Sequence, residues 1–176
     1  MKPLFFAFSL LLASIAQADQ PATPAADHIK PWTLPDQFDE PYTFNPDERV
    51  MLIAASNSAA GLVNDAIKDQ PEGWLAQRSV IYVADITRVP RFVANRVLIP
   101  SMRSAPYRIL LDREDQVASQ YVEERSEVLW LGLEDGVIIE RRRFDSAPAL
   151  RLALDALDPD KGADATAQSK PADADQ

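Results

Sequence analysis

The residues best placed to bind or react follow a run of apolar side chains from Val50 to Ala55. Residues 56–60 read Ser-Asn-Ser-Ala-Ala, and an apolar repeat with helical spacing begins at Leu62. This pattern predicts a buried strand that leads directly into a helix. The free N–H groups and positive dipole end of such a helix face whatever lies at the junction. Only short polar and small side chains are available there, so the junction favours binding and predicts no catalytic residue.

The amino-acid composition excludes several classes of chemistry. The chain of 176 residues has no cysteine and a single histidine, His28. Without a thiolate there is no disulfide and no thiol–disulfide exchange. A Ser-His-Asp triad or a histidine metal site would depend on His28, which lies in a stretch without apolar periodicity and would not be held in place. No segment has the spacing of a calcium loop or a glycine-rich nucleotide loop, so neither a metal nor a cofactor is predicted.

Paired carboxylates could act as an acid and a base, but every close pair falls at a predicted turn. Turns favour such residues on conformational grounds, so we interpret the pairs as solvated turn acids. The pairs are Asp36/Asp39, Asp112/Asp115, Glu123/Glu124 and Glu134/Asp135.

Arginine is concentrated in one segment of an acidic chain. Between residues 88 and 111 there is no Asp or Glu, and the segment contains Arg88, Arg91, Arg96, Arg103 and Arg108. The chain as a whole has a net charge of −9. The cluster is either a recognition patch or a set of charges that acids elsewhere in the fold neutralise, and both alternatives stay open. The net acidity argues against a nucleic-acid partner.

The N-terminus has the features of a secretory signal. Lys2 precedes an apolar stretch from Leu4 to Ile15, and residues 16–18 read Ala-Gln-Ala, the small-x-small pattern of a signal-peptidase site. We expect residues 1–18 to be removed by cleavage after Ala18 and the mature protein to be periplasmic. The stretch is too short for a membrane span, which takes about 20 apolar residues, and no later segment is longer.

Two further segments lack apolar periodicity. Residues 19–31 are rich in Ala and Pro, and residues 158–176 are rich in Asp, Ala, Lys and Pro. Both are predicted to be disordered, as a leader and an acidic tail. One domain with one core is therefore expected over residues 32–157.

The apolar pattern of this domain predicts a β-hairpin followed by alternating strands and helices. The predicted elements are strands at 32–34 and 41–44, a strand at 50–55, a helix capped by Ser58, a strand at 79–86, a helix at 89–98, a strand at 107–111, an antiparallel hairpin at 127–133 and 137–144, and a last helix capped by Asp145 or Ser146. Residues 116–124 fit neither repeat and are assigned to a helix or a strand.

The predicted helix at 89–98 bears on the arginine cluster. Thr87 is its expected N-cap, and Pro100 is expected to end it. Helical spacing places four apolar residues toward the core: Val89, Phe92, Val93 and Val97.

This order of elements resembles the thioredoxin-like superfamily over roughly residues 32–157. Residues 34–42 resemble the hairpin that precedes the first core strand in peroxiredoxin-like and periplasmic thiol-oxidoreductase members. Pro106 occupies the place of the family's cis-proline. The resemblance implies an α/β fold, a thioredoxin-like three-layer domain whose mixed central sheet has an N-terminal β-hairpin and helices on both faces.

The resemblance also implies a binding groove without redox chemistry. The family's C-x-x-C pair falls near Asn57 and Ala60, where there is no sulfur. In the family, the N-terminus of this helix lies beside the proline loop and forms a groove for extended peptide. Pro106 is accordingly expected to be cis and within side-chain reach of Asn57 or Ser58. The implied groove residues are Ser56, Asn57, Ser58, Ala60, Arg103, Ala105, Pro106 and Arg108.

The leading interpretation is a non-enzymatic periplasmic domain that binds a protein or peptide partner. Two alternatives from other classes stay open. One is an enzyme with a non-thiol mechanism, such as a flavin-dependent oxidoreductase, and the other is a structural subunit of an envelope assembly. The sequence predicts no oligomeric state.

Overall fold

The structure is a computed structural model that describes residues 27–159. The predicted signal peptide, the first part of the predicted leader and residues 160–176 of the predicted tail lie outside the described residues. The described strands are β1 Thr33–Pro35, β2 Pro41–Thr43, β3 Val50–Ala54, β4 Val80–Asp85, β5 Leu110–Asp112, β6 Val128–Glu134 and β7 Val137–Phe144. The described helices are α1 Asn57–Ile67, α2 Arg91–Val93, α3 Ile99–Met102, α4 Ala118–Tyr121 and α5 Ala147–Asp155.

Five strands form one mixed sheet, in the order β5-β4-β3-β6-β7. β3 is parallel to β4, and β4 is parallel to β5. β6 is antiparallel to both β3 and β7. β1 and β2 form a separate antiparallel hairpin. The predicted mixed sheet and N-terminal hairpin are confirmed.

The central strand β3 is buried on both sides, and its side chains alternate between two cores. Val50, Leu52 and Ala54 belong to a core shared with α1, α3 and α5. Met51 and Ile53 belong to a second core, which the β1–β2 hairpin and α4 cover. The sheet is therefore the middle of three layers, with helices on both faces.

The helix α1 begins directly after the central strand, as the sequence predicts, but its cap is Ser56 and not Ser58. Ser56 is extended, with φ −156° and ψ 166°, and its side chain accepts a hydrogen bond from the N–H of Ala59. Ser58 already lies inside the first turn, where its hydroxyl is 2.8 Å from that of Ser56. The helix thus starts two residues earlier than predicted.

The β6–β7 hairpin turns at Asp135 and Gly136, as predicted from this Asp-Gly pair. Both residues have positive φ, 50° and 75°, the conformation of the tight turn that matches the twist of a hairpin. Gly136 is well suited to the position because an L side chain is strained at this φ.

Residues 27–31 belong to the folded domain, although the sequence assigned them to the disordered leader. The N–H of Ile29 donates to the carbonyl of Gly136 at 2.8 Å, and the N–H of Ile138 donates to the carbonyl of Asp27 at 2.9 Å. Ile29 is buried in the second core. The prediction was wrong because this segment is held by a hairpin far along the chain, which a local pattern does not reveal.

The predicted helix at 89–98 begins and ends later than expected. α2, a π-helical stretch Ala94–Leu98 and α3 form one continuous helix over residues 91–102. The N–H of Ile99 donates to the carbonyl of Ala94, the i→i−5 bond of a π-helix. Pro100 follows at once and continues the helix instead of ending it. A proline cannot donate to the carbonyl four residues earlier, and a π-helical widening is a known way to accommodate such a defect.

The extra residue in the π-helical turn also changes which side of the helix is buried. Ala94 and Ile99, five residues apart, face the first core and are 5% and 4% exposed. Phe92, Val93 and Val97, predicted to face the core, are 72%, 41% and 63% exposed. The prediction assumed a constant α-helical period, and the π-helical turn shifts the register by one residue.

Candidate functional site

One edge of the sheet gathers three connecting segments. β3, β4 and β5 are parallel and end at the same edge, here called the carboxyl edge. The register pairs Ala54 of β3 with Ala84 of β4 on one side and with Val128 of β6 on the other. Because β6 is antiparallel to β3, the loop before Val128 also arrives there. The start of α1, the loop after β4 and the loop before β6 are therefore neighbours.

The first half of the predicted groove lies at this carboxyl edge. Asn57 and Ser58 are exposed, and Ser56 and Ala60 are half-buried. The Ser56 hydroxyl accepts a hydrogen bond from the N–H of Ala59 at 3.2 Å and lies beside the hydroxyl of Ser58. Among residues 27–159, no histidine, carboxylate or lysine is hydrogen-bonded to either hydroxyl. No such base is therefore seen beside either serine in the described part of the chain, and the two hydroxyls are placed to offer hydrogen bonds.

A buried ion pair, missed by sequence reasoning, lies at the same edge. Asp85 ends β4 with a side chain that is 0% exposed, and its Oδ2 is 2.6 Å from Nη2 of Arg125. Its Oδ1 accepts bonds from the N–H of Thr87 at 2.9 Å and the Thr87 hydroxyl at 2.6 Å. Burial alone would raise the pKa of Asp85, but the bonds from Thr87 and Arg125 outweigh it and lower that pKa. The pair ties the loop before β6 to the end of β4.

The second half of the predicted groove lies elsewhere. Arg103, Ala105, Pro106 and Arg108 precede β5, at the amino edge, where the parallel strands begin. The Tyr107 hydroxyl donates to Oδ1 of Asn64 at 3.1 Å. That contact is seven residues into α1, about 10 Å from its N-terminus along the helix axis. The structure therefore does not bring the two halves of the predicted groove together.

Pro106 is also not cis, since no peptide bond of the described residues is cis. The prediction placed the proline before the strand that reaches the start of α1. That strand is β6, which Glu127 directly precedes, whereas Pro106 precedes the edge strand β5. The chain forms one more parallel strand, β5, before it reaches β6. Local patterning did not show which of these two strands would pair with β3.

Arg103 and Arg108 are held by the turn of the β1–β2 hairpin. Nε of Arg103 donates to the carbonyl of Gln37 at 2.8 Å, and Nη2 lies 3.5 Å from Asp39. Arg108 pairs with Asp36 at 3.3 Å and with Glu40 at 4.0 Å. For these two arginines, the alternative in which acids elsewhere neutralise the charge is confirmed.

Two of the predicted solvated turn acids are in fact buried. Asp36 is 2% exposed, and its Oδ1 accepts the N–H groups of Phe38 and Glu40. Asp112 is 0% exposed and accepts three backbone N–H groups at the start of α4. Both residues do lie at turns, but their carboxylates replace backbone hydrogen bonds instead of facing water.

A groove of about 1290 Å³ lies at the amino edge, between the segment at residues 103–108 and the β1–β2 hairpin. Pro106 and Arg108 line it on one side, and Tyr42 and Glu48 line it on the other. The Tyr42 hydroxyl donates to Oε1 of Glu48 at 2.5 Å. Burial raises the pKa of Glu48, and the bond from Tyr42 offsets only part of that rise. Burial, with the charge of Glu48, also raises the pKa of Tyr42.

Glu48→Gln should raise the melting temperature at pH 7, because it removes a poorly solvated charge and keeps an acceptor for Tyr42. The folded-state pKa of Glu48 lies above its unfolded value, so the folded protein binds more protons and the free energy of unfolding falls as pH rises through that pKa. The gain should therefore shrink on acidification and vanish below about pH 4. Thermal melts from pH 3 to 8 measure it. Glu114→Gln, the same change at an exposed position elsewhere in the chain, is the control, and equal gains would contradict the argument.

The described residues contain no cluster of three or more His, Cys, Asp or Glu side chains arranged to hold a metal ion. None of the helices within residues 27–159 is both long and apolar enough to cross a membrane.

No protein-family profile and no curated protein sequence matches the chain. Solved structures do match it. A hypothetical protein of Sinorhizobium meliloti superimposes with a TM-score of 0.52 at 19% identity, over 78% of this chain and 85% of that chain. The peroxidoxin BcpB of Mycobacterium tuberculosis gives 0.50 at 16% identity, over 76% and 97% of the two chains. A putative thiol:disulfide interchange protein DsbE of Chlorobium tepidum gives 0.51 at 12%, over 74% and 92%.

These similarities, together with the sheet order, show that the fold is α/β and thioredoxin-like. The fold predicted from the order of elements is thus confirmed. At the start of α1 the chain has Asn57 and Ala60 where the resemblance places the thiol pair, and it has no cysteine at all.

Proposed function

We propose that the chain is an exported, non-enzymatic thioredoxin-like domain that binds a protein or peptide partner at the carboxyl edge of its sheet. One observation carries this proposal: Phe92, Val93 and Val97 are exposed together on the helix that leaves this edge. Adjacent exposed apolar side chains on a small domain are typical of a protein-binding surface. The exposed start of α1 at Asn57 and Ser58 lies at the same edge.

The fold is shared with proteins named as a peroxidoxin and a thiol:disulfide interchange protein. The name of the second concerns thiol–disulfide interchange, which a chain without cysteine does not perform. This chain can share with those proteins the fold and the binding surfaces that the fold presents. We place the contact at the carboxyl edge because Arg103 and Arg108, in the other half of the predicted groove, are already paired within the domain.

The purified protein should not reduce insulin in the presence of dithiothreitol above the background rate. No side chain of the chain can form the mixed disulfide through which that reaction proceeds. Turbidity of precipitating insulin measures the rate. Activity that co-purifies with the protein through several chromatographic steps would contradict this expectation.

Photo-cross-linking tests the binding function. A photoreactive phenylalanine analogue at position 92, introduced in the native cell, should give a specific adduct with another protein. The control is the same analogue at Leu152, which is 74% exposed on α5. Adducts that are absent at position 92, or identical at both positions, would overturn the proposal.

The same preparation tests export. The mature protein should begin at Asp19 and fractionate with the soluble periplasmic contents. An intact N-terminal signal in the membrane pellet would reject both cleavage and location.

A further inference from the structure

The exposed apolar residues of the described chain are concentrated on one helix. Six large apolar side chains are strongly exposed among residues 27–159: Phe38, Phe92, Val93, Val97, Ile139 and Leu152. Three of them lie within six residues, while the others are scattered. The π-helical turn holds them outward, because Ala94 and Ile99 anchor the opposite side of the helix in the core. Their exposure is therefore a property of the packed helix.

Three arginines lie among these apolar residues, and none is neutralised by the domain. Arg88, Arg91 and Arg96 are exposed, and within residues 27–159 no carboxylate lies within 4.0 Å of them. The guanidinium of Arg96 lies over the ring of Phe92, 5.6 Å from its centroid. Arg103 and Arg108, from the same acid-free segment, are both paired. The segment thus divides into a neutralised part and an unpaired part.

We propose that this surface, formed by Arg88, Arg91, Phe92, Val93, Arg96 and Val97 and here called the Arg88–Val97 surface, binds an acidic segment of a partner protein that also carries aromatic or large aliphatic side chains. The proposal rests on the proposed function and specifies the chemistry of the partner. Carboxylates would pair with the guanidinium groups, often through two parallel hydrogen bonds. The apolar side chains of the partner would cover Phe92, Val93 and Val97.

Charge complementarity selects this occupant over two others. A second copy of the chain carries the same net charge of −9, so two copies repel each other at long range. An anionic lipid surface would repel most of the molecule for the same reason. A short acidic segment avoids both penalties, because it contacts only the locally positive part of the domain.

The test uses a displayed library of random twelve-residue peptides selected against the full-length protein. We expect the enriched peptides to carry a net negative charge and at least one aromatic or large aliphatic residue. Their affinity should fall at least tenfold in the double variant Arg88→Glu/Arg91→Glu and should weaken as salt is raised. The control is Lys30→Glu/Lys68→Glu, which makes the same change in net charge at two other exposed positions. Thermal melts verify that both variants are folded.

Several results would overturn the proposal. These are a selection that enriches nothing, enriched peptides that are neutral or basic, or acidic peptides that bind both double variants equally. Dimerisation in sedimentation experiments that Arg88→Glu/Arg91→Glu abolishes would assign the surface to a second copy. Binding to phosphatidylglycerol vesicles that the same variant abolishes would assign it to a membrane. A specific adduct at position 92 alongside any of the first three results would leave the binding function standing and remove only the acidic chemistry.

Discussion

Arg125→Ala should lower the free energy of unfolding by about 3 kcal/mol at neutral pH, the lower end of the range for a buried ion pair that loses one partner. The Asp85 carboxylate is 0% exposed and pairs through Oδ2 with Arg125 at 2.6 Å. Without the guanidinium, only the Thr87 bonds to Oδ1 remain. A buried charge is then poorly compensated, and the loop before β6 loses its tie to β4. Urea unfolding followed by tryptophan fluorescence measures the change.

The double variant Asp85→Asn/Arg125→Ala should recover part of this loss, because a neutral amide leaves no buried charge and its oxygen still accepts from Thr87. The fall of the free energy of unfolding at acidic pH gives a second check. Thr87 and Arg125 hold the pKa of Asp85 below its unfolded value, so this stabilisation is present above about pH 4 and is lost as pH falls through the folded-state pKa. Arg125→Ala should lessen that loss. Equal stability of Arg125→Ala and the unaltered protein would show that the pair contributes nothing.

Asp112→Ala should cost about 4 kcal/mol, because it leaves buried backbone donors without acceptors. Oδ2 of Asp112 accepts the N–H groups of Val117 and Ala118, and Oδ1 accepts that of Gln116, all at 2.9 Å. Val117 and Ala118 are themselves 0% exposed, so water does not replace the lost acceptor. The helix α4 should lose its start, and with it part of the cover of the second core. Denaturant unfolding and amide exchange at residues 116–121 measure both effects.

The matched control is Asp115→Asn, which removes one negative charge from an exposed neighbour. Asparagine tolerates the positive φ of 61° at that position. Asp112→Asn should fall between the control and Asp112→Ala, since an amide offers one acceptor oxygen instead of two. If all three variants are equally stable, the carboxylate of Asp112 is not what holds α4.

The predictable parts of the fold are those that short stretches of sequence determine. The run from Val50 to Ala55 followed by Ser56 predicted a buried strand that leads into a helix. The Asp135–Gly136 pair predicted the turn of the β6–β7 hairpin. In each case the residues that determine the structure are neighbours in the chain, so their types and spacing carry the information.

The largest errors concern interactions between distant residues or a change of helical period. The π-helical turn at Ala94–Leu98 displaced Phe92 from the core, and no regular repeat encodes such a turn. Asp85 and Arg125 lie 40 residues apart, so their pairing depends on β6 returning beside β3. An acid at the end of an apolar run with Thr87 two residues later was a visible sign of an Asx-type turn. Only Arg125, the ion-pair partner of Asp85, could not be predicted from the neighbouring residues.

The position of Pro106 shows why the candidate site was harder to predict than the fold. The strand after Pro106 was recognised, but it was expected beside the start of α1, whereas it is β5, at the edge of the sheet. A binding site formed by two loops is predicted correctly only if the strands that adjoin both loops are placed correctly in the sheet. Binding at the carboxyl edge therefore had to be inferred from the burial of Ala94 and the exposure of Phe92, which the sequence does not contain.

The hydrogen bonds of Asp27 and Ile29 to the β6–β7 hairpin set the order in which a growing chain can fold. A nascent chain emerges N-terminus first. Asp27 and Ile29 therefore cannot form their hydrogen bonds with Ile138 and Gly136 until almost the whole domain has been synthesised. Until then the second core lacks both its last strands and its N-terminal cover. Such long-range pairing slows folding and leaves apolar surface open to aggregation. Completion of the β6–β7 hairpin is thus what closes the second core, and the first core closes only when α5 follows.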